Sequence, residues 1–238
     1  MTALFHSISD EIFRRYPGYL RGVVVATQVH NGPSPEALVH LLRAAEAAVR
    51  TGLSLETLVE DGHIRPWRDV FRSFGAKPTE FRPSIEALTR RTLRGEALPC
   101  INALVDIGNL VCLRHLLPVG GHSIEALQDD MELRMASGEE EFIPFGSERM
   151  EHPLPGEVVF CEGPIVLTRR WIWRQAQHTL TLPETQAIEI NVDGLPPTGP
   201  AEIELACRDL VELVGQFCGG EARFEVLSSD HPRIRLDA

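Results

Sequence analysis

After the glycine pair Gly120-Gly121 the chain changes its hydrophobic period. Upstream, "INALVDIGNLVCLRHLLP" repeats apolar residues at helical spacing through Leu104, Ile107, Val111 and Leu113, until Pro118 ends the pattern. Downstream come short runs broken by turns, "MELRMASGEEEFIPFG", "GEVVFCEGPIVLTRRWIWRQ" and "TLTLPETQAIEINVDG", which read as antiparallel strands and hairpins. The C-terminal stretch "AEIELACRDLVELVGQFCGG" returns to an amphipathic helix before a last strand, "EARFEVL". Strands bracketed by helices predict an α+β fold, a mixed and largely antiparallel sheet flanked by helices, rather than a doubly wound sheet.

The first 80 residues read as helix, strand, helix. "SISDEIFRRY" opens with Ser and Asp, "YLRGVVVATQV" is a β-branched run, and "SPEALVHLLRAAEAAVRTG" is a helix with Ser34 as expected N-cap, Pro35 in its first turn and Gly52 at its end. A further helical piece, "PWRDVFRSFG", precedes the two prolines of "KPTEFRPS", which mark a joint. "SIEALTRRTLRG" then reads as a helix from Ser84, its expected N-cap, to Gly95. No internal repeat or biased segment is visible.

A chain of 238 residues with 43% hydrophobic side chains buries a full core without staples. Its five cysteines show neither a CxxC pair nor Cys/His ligand spacing, so a reducing compartment is expected and a structural zinc is not. With no leader-like start and no apolar run of spanning length, the expected location is the cytoplasm, away from membranes. Net charge is −11, and an acidic chain offers few phosphate contacts, so DNA and bulk RNA are excluded as partners and any nucleic-acid contact must be local. There is no P-loop, dinucleotide fingerprint, nucleophile elbow or H-E-x-x-H, so neither cofactor nor metal is expected. Cys112 and His115, three apart on an apolar helix, read as packing rather than a nucleophile pair.

Two of three tryptophans fall in "LTRRWIWRQ". In an extended segment Trp171 and Trp173 would face one side and Arg170, Ile172 and Arg174 the other. Two readings fit: a strand whose tryptophans fill the core while arginines cover its rim, or the wall of a pocket.

On the helix before the glycine pair, Asn102, Asp106 and Asn109 fall along one side. The run "INALVDIGNLVCLRHLLPVGG" resembles the opening of the editing (B3/B4) domain of the bacterial phenylalanyl-tRNA synthetase β subunit. "VLTRRWIWRQ", "TLTLPET" and "AIEINVDG" follow in the order of that domain's pocket loop, threonine turn and apolar strand. The resemblance covers about residues 81 to 196. It implies one B3/B4-like domain over 1–238, with a family-like core there, an N-terminal helix-strand-helix part over 1–80 and a C-terminal helix and strand over 197–238.

Carried over residue by residue, the family's Thr-Asn pair falls on Gly108-Asn109, which keeps the asparagine and loses the hydroxyl. Its pocket histidine falls on Gly120, with His122 two positions late. Its glycine-rich pocket loop is replaced by Trp171 to Gln175, and its substrate-reading glutamate falls around Asn191 to Asp193. The resemblance implies a freestanding, trans-editing hydrolase that cleaves the ester of mischarged aminoacyl-tRNA. Asn109 and His122 would be its catalytic residues, with Gly108, Gly120, Gly121, Arg170, Trp171, Trp173, Arg174 and Gln175 holding substrate around a single cavity. The alternative is a non-catalytic module that binds a tRNA 3' end, an amino acid or another small carboxylated ligand.

Overall fold

A computed structural model describes residues 3–237. The first half runs β1 (Phe5–Ile8), α1 (Asp10–Arg15), β2 (Leu20–Thr27), α2 (Glu36–Gly52), α3 (Arg65–Ser73), α4 (Ser84–Leu93) and α5 (Ala103–His115). The second runs β3 (Val119–Ser123), β4 (Met131–Met135), β5 (Val158–Glu162), β6 (Ile165–Arg169), β7 (Arg174–Gln175), β8 (Ile188–Gly194), α6 (Pro200–Phe217), β9 (Glu221–Leu227) and β10 (Arg233–Arg235).

The fold is α+β, and its strands form two sheets rather than one. A six-stranded sheet has the order β10-β1-β4-β5-β6-β7 and a four-stranded sheet the order β3-β8-β2-β9. The β1–β4 pairing is parallel, and the other strand pairs of both sheets are antiparallel. Strands from both ends of the chain therefore complete the sheets. Local periodicity finds strands but is blind to such distant partners.

Residues alternate across each strand, so the smaller sheet has two different faces. Val24 and Ala26 of β2, with Ile188, Ile190 and Val192 of β8, pack beneath α2, α5 and α6. Val23 and Val25 turn the other way, into a core shared with Phe160 and Leu167 of the larger sheet. Gly22 lets α6 lie close on the strand, since a Cβ there would sit 2.2 Å from Cys207 Sγ.

The caps differ from expectation. Pro35 and Pro83 occupy the N-cap positions of α2 and α4, with Ser84 the first helical residue of α4. Ser34 instead donates from its hydroxyl to Asp106 on α5, a tertiary contact that a local cap signal hides. Asn102 caps α5, its Oδ1 accepting from Val105 N–H at 3.0 Å, while its amide donates to the Thr181 carbonyl. Within "TLTLPETQAIEINVDG" only Ile188–Gly194 is a strand, and the preceding residues form a loop in which Thr185 Oγ1 accepts from Leu182 N–H. No helix among the described residues is long and apolar enough to cross a membrane.

Candidate functional site

Strand β8 reads "IEINVDG", apolar and polar in strict alternation, yet all seven residues are buried. Its apolar side lies under the helices, so Glu189, Asn191 and Asp193 face the space between the sheets. There they meet Arg21 from β2, His122 from β3 and His6 from β1. Buried polar groups must find partners or be costly, so the pairing of each member decides what this cluster can do.

Arg21 and Asp193 anchor it. Nε of Arg21 donates to Oδ1 at 2.8 Å and Nη2 to Oδ2 at 3.1 Å, with both side chains out of solvent. Tyr19 O–H also donates to Asp193, and Asn191 Nδ2 donates to Oδ2 of the same carboxylate at 2.9 Å. That bond fixes the Asn191 amide, leaving its buried Oδ1 with no hydrogen-bond partner among the described residues. Burial opposes the Arg21 charge, but the Asp193 carboxylate more than offsets this and holds the guanidinium above its usual range.

Arg21 Nη1 donates to His6 Nε2 at 3.3 Å. A guanidinium only donates, so this contact places the imidazole proton on Nδ1, which lies 3.1 Å from Glu189 Oε1. The alignment is too poor for a hydrogen bond, and neither oxygen of Glu189 has one among the described residues. Burial pushes the Glu189 carboxyl up to about 7, against the pull of His122 and Arg21. Burial also holds His6 well below the ordinary histidine value, with Arg21 adding to the shift. His122 is pushed down to about 4, chiefly by burial, and its ring is fixed between Thr179 Oγ1 at 2.7 Å and Thr168 Oγ1 at 3.3 Å. Burial therefore favours its neutral form, and the ring serves as a hydrogen-bonding group between the two threonines.

A cavity of about 200 Å³ opens above this floor, with Arg21, His122, Thr168 and Asn191 among its lining and Trp171, Trp173 and Phe160 as aromatic walls. A second cavity of about 360 Å³ lies on the helix side of β3, bounded by Leu104, Val105, Leu180, Ile188 and Ile190. The two share Val119, Gly120 and Gln175. β3 is an edge strand, so the cavities are lobes on either side of it, meeting where Gln175 Nε2 donates to the Gly121 carbonyl at 2.8 Å.

The residues expected around one cavity are thus divided. His122, Trp171, Trp173 and Arg174 line the polar lobe, and Gly108, Asn109 and Gly121 the apolar lobe. Arg170 lines neither: its guanidinium stacks 3.7 Å from the Phe81 ring centroid and 4.4 Å from that of Trp173, 3.7 Å from a Glu157 oxygen.

The "RRWIWRQ" segment is not a continuous strand. Arg170 and Trp171 have φ of 50° and 63°, and the chain turns here from β6 into β7. This breaks the alternation. Trp171 enters the core, edge-on to Tyr16, Tyr19 and Trp67 at centroid distances of 4.9, 4.8 and 5.4 Å, while also showing part of itself to the polar lobe. Trp173 is half-buried against Phe81. Both sequence readings hold in part, core for Trp171 and wall for Trp173.

Sequence reasoning missed Glu189, Arg21, His6, Tyr19 and Thr168. The signal for Glu189 was the alternation of "IEINVD", whose second face is as deeply buried as its first. His6 and Arg21 come from distant strands and carried no local signal. Cys112 is buried, its thiol pushed up to about 12, and His115 pairs with Asp209, so these two are packing groups. Among the described residues no group of three or more His, Cys, Asp or Glu side chains is placed to hold a metal ion.

The buried polar cluster and the polar lobe above it are thus seated between the two sheets of an α+β body, with the apolar lobe on the helix side of β3. The chain belongs to the B3/4 domain family, whose model matches residues 66–219. Among solved structures it is similar to an N-terminal fragment of the phenylalanyl-tRNA synthetase beta-subunit from Pyrococcus horikoshii, at 11% identity and a TM-score of 0.45. That match covers 93% of this chain and 51% of the fragment, so the chain spans about half the fragment's length. Comparison with curated proteins gives no match.

Proposed function

We propose that this chain acts on the aminoacyl end of tRNA, hydrolysing the ester of a wrongly attached amino acid. The observation that carries this reading is the polar face of β8 buried beneath the aromatic lobe, where Asn191 Oδ1 awaits a donor. Membership of the B3/4 family supports the tRNA-related part. An aminoacyl ester is already activated, so a water held against its carbonyl, with donors toward the developing oxyanion, is enough for turnover without a protein nucleophile. In this reading His122 orients groups through its threonine partners, Asn109 and the glycine pair bound the path between lobes, and Arg174 at the polar mouth holds a phosphate or carboxylate.

A second reading, binding of an aminoacyl or amino-acid-like ligand without turnover, is favoured by one observation: His122 is buried and engaged at both ring nitrogens. A panel of mischarged tRNAs, including D-aminoacyl esters, separates the two. Release of free amino acid from at least one ester, faster than the uncatalysed rate, supports hydrolysis. Saturable binding of an ester that stays intact supports the second reading, and neither result across the panel removes both.

A further inference from the structure

We infer that the apolar lobe is the side-chain pocket of the site, and that the ligand carries an aliphatic side chain there while its amino and carbonyl groups reach over β3 into the polar lobe. The inference rests on the reading of the site as one for aminoacyl groups and adds the class of amino acid.

The polar lobe, beneath its aromatic walls, holds the hydrogen-bonding groups of the site. Arg21, His122, Thr168 and Asn191 lie on it, and the unpartnered Asn191 Oδ1, 5% exposed as a residue, calls for a hydrogen-bond donor such as an ammonium group. The apolar lobe has the opposite character. Leu104, Val105, Leu180, Ile188 and Ile190 enclose it, and exposed Ile101, Phe145 and Leu182 ring its mouth. Its aliphatic lining favours burial of an alkyl group, where each methylene adds affinity, and its polar side chains are confined to Asn109, Gln175 and Thr181.

The glycine pair between the lobes makes the connection. A Cβ on Gly120 would point into the polar lobe, 3.1 Å from Asn191 Oδ1. A Cβ on Gly121 would point into the apolar lobe, 3.3 Å from Ile188 Cδ1 and 3.6 Å from Thr181 Oγ1. Neither glycine has the left-handed φ that would itself demand glycine. Their missing side chains leave space instead, one in each lobe, on either side of the same edge.

Amino-acid amides test this, because an amide keeps the carbonyl of the ester and resists hydrolysis. Glycinamide, alaninamide, norvalinamide, leucinamide, serinamide and tyrosinamide are titrated against wild type by calorimetry. Affinity should rise about threefold per methylene from glycinamide to leucinamide, with serinamide no better than alaninamide. Gly121→Ala should flatten this series, costing leucinamide about tenfold and glycinamide little, while Gly120→Ala weakens all members by a similar factor. If Gly121→Ala does not fold, Gly108→Ala narrows the same lobe from its helical wall and should flatten the series likewise.

A flat series, a preference for serinamide or tyrosinamide, an unchanged slope in a folded apolar-lobe variant, or no binding of any amide at millimolar concentration overturns the inference. Running the same side chains as tRNA esters separates it from the proposed function. Hydrolysis that prefers polar side chains leaves that function standing and overturns the inference. A rising amide series with no ester cleaved leaves the inference standing and removes the hydrolysis.

Discussion

Arg21 and Asp193 lie opposite each other on neighbouring antiparallel strands, and the guanidinium grips both oxygens of the carboxylate, with 1% and 0% of the two side chains exposed. Removing one member of such a pair leaves a buried charge without compensation, which typically costs about 3–5 kcal/mol. Asp193→Ala is therefore expected to lower stability by about that amount in urea denaturation. A loss under about 1 kcal/mol would mean that solvent reaches Arg21 and that the cluster is not a closed floor.

Glu189 makes stability depend on pH in a direction that can be worked out. Its carboxyl ionises near 4.5 when unfolded and near 7 when folded, so its contribution is fully present below pH 4.5 and is lost as pH rises through 7. Glu189→Gln keeps the protonated form's shape at every pH. Its stability relative to wild type should therefore increase from pH 4.5 to 7.5, by roughly 2–3 kcal/mol. His122 acts oppositely, its contribution present above pH 6.5 and lost as pH falls through 4. Parallel urea curves at pH 5 and 8 give the difference, and a pH-independent gap would refute the raised carboxyl.

The two tryptophans of the turn should separate. Trp171→Ala removes a side chain 1% exposed and held among three aromatic rings, and is expected to cost about 3–5 kcal/mol. Trp173→Ala should cost less than about 2 kcal/mol and change ligand choice, since that ring is only partly buried and lines the polar lobe. Equal thermal destabilisation by both would show that the segment serves only the core.

Gly108 sits inside α5, where glycine is a poor helix former, and a Cβ there meets Val119 Cγ1 alone within 4 Å, at 3.5 Å. Gly108→Ala should raise stability by about 0.5–1 kcal/mol, seen as a higher Tm. A lower Tm would mean that the added methyl displaces β3.

How much of this was legible in the sequence follows from the range of the forces involved. The long helices announce themselves through spacing that lies within a few turns, and α5 and α6 stand where their periodicity put them. The B3/4 relationship was legible in "INALVDIGNLVCLRHLLPVGG", and the matched stretch extends beyond the expected 81–196 on both sides. The "RRWIWRQ" turn was misread because two non-glycine residues adopt positive φ, a conformation that local preference disfavours and that tertiary contacts support, among them the Trp171 N–H to Val158 carbonyl bond at 2.8 Å and the surrounding rings. Ser34 and Asn102 show the same limit, one polar side chain spent on a distant helix and the other on its own.

The stretch of sequence that carries the family match and the residues that close the site do not coincide. β2, which runs between β8 and β9 at the middle of the smaller sheet, lies at residues 20–27, outside the family match, as do Tyr19 and His6. A polypeptide trimmed to residues 66–219 would keep the family signature while losing the central strand, the counter-charge of Asp193 and two of the rings that seat Trp171. The strands and side chains that close the space between the sheets are thus drawn from outside the matched stretch as well as from within it.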